Sequence, residues 1–208
     1  MAALYEQVAE AVHQDDRPVV LSGDCTTSLG TLTGLQRRGL DPAVVWFDAH
    51  GDLNTPRTSP SGYLGGMPLA IALGHGDRAV SRHLRLRRIQ PEQVLLVDAR
   101  DLDPGERELI AAAPIRHVPV GEVSTWLVPD GPVYLHVDLD VLDPEEIDGL
   151  RFPAPGGPSV GTVIEAIRTV MSTGRVVAVG IACALFPEHL DDQRTQNVLK
   201  AVLSIIEP

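Results

Sequence analysis

Cysteine is scarce in this chain: 208 residues hold only Cys25 and Cys183. Two thiols make no disulfide framework, and in a reducing compartment both are expected to stay free. Long hydrophobic runs are missing as well. No stretch reaches the length of a membrane span, and no basic segment followed by an apolar core opens the chain. A cytoplasmic protein with no membrane partner is the expectation. Positive charge is also short, with 17 Lys and Arg against 28 Asp and Glu and a net charge of −11. That balance argues against nucleic acid or an anionic membrane surface as a partner. With no internal repeat, low-complexity tract or linker, residues 1–208 read as a single domain, large enough to bury a core.

What the chain does have is acid placed after apolar strands. Val44-Val45-Trp46-Phe47 runs into Asp48-Ala49-His50-Gly51-Asp52, and Val133-Tyr134-Leu135-His136-Val137 runs into Asp138-Leu139-Asp140. Carboxylates gathered at the end of a buried strand repel one another and are costly to desolvate, so they pair with cations or bind metal. Four carboxylates and an imidazole exceed the needs of one divalent ion and suit two that share bridging ligands.

The surrounding pattern is strand and helix in alternation. Strands are expected at Pro18–Leu21, before Asp48, at Val94–Val97, before Asp138 and at Val176–Ile181. Helices are expected at Ala2–His13, from Ser22 to about Gly34, at Pro104–Ala113, from Pro158 to Met171, and from Asp191, as N-cap, to Ile206. Strands rich in Val and Leu without polar alternation, separated by helices, describe a mostly parallel sheet covered on both faces, an α/β fold. Such sheets carry their sites beyond the carboxyl ends of the strands, where these acids fall. Trp46 and Leu69–Leu73 read as core, and His136 as a polar residue on the sheet or a contact behind the acids, with direct ligation the lesser alternative.

Several of these segments together resemble the arginase and agmatinase group of ureohydrolases. Asp48–Asp52 with Leu53-Asn54-Thr55-Pro56 and Ser61–Gly66 is similar to that family's second signature, and Asp138–Pro144 to its third. Ser22-Gly23-Asp24-Cys25-Thr26 stands in place of the first, and Arg100–Glu106 resembles a segment arginases use near the amino-acid end of the substrate. The resemblance implies a three-layer α/β/α sandwich around a parallel sheet. It also implies hydrolysis of a guanidino or amidino C–N bond by hydroxide bridging two Mn²⁺. Asp48 and Asp138 would bridge the ions, Asp52 would complete one, and His50 with Asp140 the other, with Cys25 in the place of a histidine ligand. Asp52 would also carry the proton to the leaving amine, with His50 counted beside it in the catalytic set. Asn54, Ser61, Asp103 and Glu106 match positions that recognise α-carboxylate and α-amino groups; Asp103 and Glu106 also suit the positive start of a helix. The family assembles as trimers or hexamers, so a homo-oligomer is implied. The first signature lies nearer the start than in full-length members, so the sheet is expected to lack N-terminal strands, and an open sheet edge favours association.

The departures from the family fall at particular positions. Cys25 offers a thiol, which suits Mn²⁺ poorly; the neighbouring ion is then weakly held, or softer, or absent with Cys25 protonated. Gly65 and Gly157 stand where arginases carry a histidine and a threonine, and Tyr63 replaces a small polar residue. Ala184 takes the place of a glutamate that grips the guanidinium, with Glu188 the nearest acid able to replace it. The amino-acid end of the substrate is thus kept and its distal group changed, as in a hydroxyguanidine. The alternative is a catalytically degraded, metal-binding homologue with a structural or regulatory role.

Overall fold

A computed structural model describes residues 1–76 and 78–206. In chain order the elements are α1 (Ala2–Gln14), β1 (Val19–Ser22), α2 (Ser28–Arg37), β2 (Ala43–His50), α3 (Pro68–Ala72), α4 (Ala79–Leu84) and β3 (Val94–Asp101). They continue with α5 (Pro104–Ala112), β4 (Arg116–Val118), β5 (Val133–Asp138), α6 (Val160–Met171), β6 (Val176–Ala182) and α7 (Gln193–Ile206). Six strands form one parallel sheet in the order β1-β6-β5-β2-β3-β4 among the described residues.

The sheet is buried on both faces because its central strands are apolar over most of their length. Alternate side chains of β2 divide between two cores: Val44 and Trp46 pack with Leu29, Leu32 and Leu35 of α2, while Val45 and Phe47 pack with Ile167 of α6 and Val198 and Val202 of α7. The period of two along the strand therefore builds both outer layers at once. This is the expected α/β/α sandwich.

Local details differ from the sequence reading. The segment after β1 first makes a tight 3₁₀ turn at Cys25–Thr27, and α2 starts only at Ser28. The Asp24 carboxylate causes this by accepting the Thr26 amide at 2.9 Å, a local bond that competes with helix. The last helix begins at Gln193, after a 3₁₀ turn at Pro187–His189 has used the residues around Asp191. Strand β4 carried no apolar signal, being Arg116-His117-Val118, and joins the sheet only by pairing with β3.

Candidate metal centre

Parallel register brings the two acidic segments together. β2 and β5 are neighbours with Phe47 opposite Val137, so Asp48 and Asp138 emerge side by side at the carboxyl end of the sheet. Both lie against the Cys25 sulfur: Sγ donates to Asp138 Oδ2 at 2.9 Å and sits 3.7 Å from Asp48 Oδ2. A 3₁₀ turn at Leu139–Val141 swings Asp140 back, and its amide donates to Asp138 Oδ1 at 3.0 Å. His50 Nδ1 then lies 3.3 Å from Asp48 Oδ1 and 3.2 Å from Asp140 Oδ2.

Asp52 is held in an unusual way. It is buried, its backbone is left-handed with φ 51°, and its Oδ2 has no hydrogen-bond partner. A non-glycine residue in that conformation is costly and persists only where the surroundings impose it. Those surroundings include Gly51, where a Cβ would come within 2.7 Å of Leu102 Cδ2 and 2.8 Å of Glu106 Oε1. Glu106 in turn accepts the amides of Leu53 and Asp103 at 2.9 Å each, closing a capping box with Asp103 at the start of α5.

Electrostatically the centre is dominated by acid. Among the described residues no Lys or Arg pairs with Asp48, Asp52, Asp138 or Asp140; His50 is the basic group among them. Burial pushes Asp138 and Asp140 up to about 7, aided by the negative charge of Asp140 on Asp138 and of Asp48 on Asp140. Burial followed by Asp48 and Asp138 charge holds Asp52 well above the usual carboxylate range. Burial opposes charge on His50, yet the Asp140 and Asp48 carboxylates push it up to about 12. Burial and then Asp138 charge raise the Cys25 thiol well above its ordinary value. Every shift describes acids waiting for positive charge. The donors fall into two groups that share Asp48, namely Cys25–Asp48–His136 and Asp48–His50–Asp140, each with ligand atoms within 4.8 Å of one another. Two groups sharing a carboxylate, together with the unpartnered Asp52 oxygen, fit a pair of divalent cations.

The centre floors a cavity of about 230 Å³, room for a ligand the size of an amino acid. Asn54, Ser61, Asp103 and Glu106 all line it. Their accessibility differs. Asn54 Nδ2 is engaged by Asp103 at 2.8 Å, both Glu106 oxygens serve backbone amides, and Ser61 is exposed beside Ser59 at 3.4 Å. Ala184 lines the wall without an acceptor side chain, whereas Glu188 is exposed on the outer 3₁₀ turn and does not reach the cavity. At the mouth, the Tyr63 and Phe152 rings meet with centroids 5.0 Å apart. A Cβ at Gly65 would fall 2.2 Å from the Tyr63 ring, so the phenol fills the space a side chain at 65 would need.

Two residues carry more of this architecture than their sequence context conveyed. The Arg100 guanidinium pairs with Asp98 and donates to the carbonyls of Val141 at 2.8 Å, Leu142 at 3.1 Å and Ala154 at 2.7 Å. It thereby pins the loop that follows Asp140. His136 is buried, stacks on Trp46 with centroids 3.7 Å apart, and places Nε2 3.2 Å from the Cys25 sulfur. No sequence pattern links positions 25 and 136; the pairing of β5 with its neighbours does.

A parallel α/β/α sandwich with a carboxylate-rich centre at its strand ends has the layout of a metal centre. A sequence model of the arginase family matches residues 1–205, and the chain belongs to that family. It is 35% identical to the Nω-hydroxy-L-arginine amidinohydrolase of Streptomyces lavendulae, over all of this chain and 74% of that one. It is 37% identical to the arginase of Bacillus subtilis strain 168, over 75% of this chain and 57% of the relative, so it spans little more than half of that enzyme. The arginase of Bacillus caldovelox superposes with a TM-score of 0.88 at 32% identity, covering 99% of this chain and 74% of that structure.

Proposed function

We propose that the chain hydrolyses the C–N bond of an amidino or guanidino group on an amino acid, with a hydroxyguanidine such as Nω-hydroxy-L-arginine the preferred class over arginine. The observation that carries this reading is the buried, cation-poor donor set, with the Asp52 oxygen left unpartnered at the floor of an amino-acid-sized cavity. A relative that matches this chain over its whole length is named for hydroxyarginine. The Ala184 wall offers no acid to a plain guanidinium, which supports the same preference.

Asp48, Asp138, Asp52, Asp140, His50 and Cys25 would hold two Mn²⁺ ions, the one beside Cys25 the weaker. When bound, the ions would acidify a shared water toward neutrality and polarise the amidine. The chain's own residues do the rest. Asp52 would accept a proton and return it to the departing amine, its carboxyl group being buried among other acids. His50 stays aligned between Asp48 and Asp140. Asn54, Ser61 and Asp103 face the amino-acid end, Glu106 supports them through the backbone, and the Tyr63–Phe152 pair shields the mouth from water. We take residues 1–208 as one domain, acting as a cytoplasmic homo-oligomer.

The test is release of urea or hydroxyurea from arginine, hydroxyarginine and simpler guanidino compounds by the Mn²⁺-loaded protein. Hydroxyurea should form faster than urea. Fully loaded protein that releases nothing from any of them overturns this reading in favour of a metal-binding homologue without catalysis.

A further inference from the structure

The histidine missing from position 25 has a counterpart on another element. Nε2 of His136, reaching over from β5, lies 3.2 Å from the Cys25 sulfur, and the two share a donor group with Asp48. We propose that Cys25 and His136, with Asp48 and Asp138, form a nitrogen–sulfur subsite for a borderline cation of the zinc type, beside an oxygen-rich subsite at Asp48, His50 and Asp140 that takes Mn²⁺. The inference deepens the hydrolase reading and rests on it only in assuming that this cluster binds cations at all.

Geometry brings three donors together, Cys25, Asp48 and His136, with Asp138 against the sulfur. Around a tetrahedral ion with bonds of 2.0–2.3 Å, ligand atoms sit roughly 3.3–3.8 Å from one another. The sulfur lies 3.2 Å from His136 Nε2 and 3.7 Å from Asp48 Oδ2. Its 2.9 Å approach to Asp138 is a thiol hydrogen bond that an ion would replace. The imidazole is fixed from behind, as ligand histidines are: Nδ1 is 3.0 Å from the Tyr134 hydroxyl, and the ring stacks on Trp46. The Trp46 indole N–H donates to Asp48 Oδ2 at 3.2 Å, so the same aromatic orients two donors of the set. The same cavity holds the buried Asp52 carboxylate, one oxygen of which has no hydrogen-bond partner.

Ligand chemistry decides the metal. Thiolate with imidazole selects Zn²⁺ or Co²⁺, whereas carboxylate-rich sites suit Mn²⁺. One shared carboxylate, Asp48, would then join two unlike cations.

The full-length chain, stripped with chelator and then given one equivalent of Co²⁺ with excess Mn²⁺, tests this. One Co²⁺ and one Mn²⁺ per chain are expected, with a thiolate-to-cobalt charge-transfer band that Cys25→Ser abolishes. His136→Gln should weaken Co²⁺ roughly 10–100-fold while leaving Mn²⁺ stoichiometry unchanged. Because that variant removes a core stack, a second measurement avoids it: X-ray absorption of zinc in His50→Asn protein, loaded with one equivalent. One sulfur and one imidazole in the zinc shell support the assignment. Sulfur without imidazole, or no sulfur band, overturns it. Hydroxyurea release by Mn²⁺-loaded protein is scored separately, so loss of activity with an intact sulfur–imidazole shell would sink the hydrolase reading and not this one.

Discussion

Asp52 and Gly51 show how one residue's freedom supports another's strain. The chain turns left-handed at Asp52 while α5 presses against it from the side of Glu106, and only a residue without Cβ fits between. Gly51→Ala would drive a methyl to 2.7 Å from Leu102 and is expected to cost about 1–3 kcal/mol, read from the denaturant midpoint. Unchanged stability would show that the loop has room to relax. At Cys25 the question is affinity. An imidazole is a better Mn²⁺ ligand than a thiol, so Cys25→His should retain more Mn²⁺ through exhaustive dialysis. Equal retention would remove position 25 from the ligand set. Glu188, exposed on its outer turn, has no such bearing on the site, and Ala184 stands alone on the wall.

Among the elements, α5 does most to shape the centre without donating a ligand to it. Its start was legible, since Asp103 and Glu106 suit the positive end of a helix opening at Pro104; the reciprocal capping box between them is a finding of the structure. That the Glu106 carboxylate also takes the Leu53 amide, one residue past Asp52, was not legible, because 53 positions separate the partners. Glu106→Ala would leave two backbone donors unpaired, a loss on the order of 3 kcal/mol. A drop in thermal stability accompanied by weaker cation binding would show that this helix end holds the Asp52 loop. Loss of binding with stability intact would instead make Glu106 a direct participant. The β5 strand has a comparable double use: Val133, Leu135 and Val137 fill the core with α6 and α7, while Tyr134, His136 and Asp138, successive on the other face, run toward Cys25.

The whole molecule carries two linked consequences of its acidity. Asp138 and Asp140, ordinarily near 3.8, are pushed up to about 7. A group raised in the folded state contributes stability fully below its unfolded value and loses it as pH climbs through the folded one. The cation-free protein should therefore lose stability between about pH 4 and about pH 7. His50, raised from 6.5 to about 12, gives up its contribution only above about pH 6.5, in the same direction. Cations displace protons from the same groups, so their stabilisation should grow over this range. Melting of stripped and loaded protein at about pH 5 and about pH 8 checks it; a gap that narrows at the higher pH contradicts the charge assignment. At the rim of the fold, β1 is an edge strand that exposes Val19 and Leu21 by 44% and 59%. An uncovered apolar edge invites pairing, and we expect light scattering to report a trimer or hexamer; a monomer at micromolar concentration would refute this. Among the described residues no helix is long and apolar enough to cross a membrane.

The strand–helix alternation and the identity of the acids after Phe47 and Val137 were written in the sequence, because periodicity and residue type are local properties. So was the expectation that these acids meet, since parallel strands deliver their carboxyl ends to one edge. Tertiary structure alone decided which side chains face one another there. It set His136 behind Cys25, turned Glu188 away from the cavity, and left one Asp52 oxygen without a partner. Those outcomes depend on strand order, register and close packing between segments distant in the chain, and no local pattern encodes them.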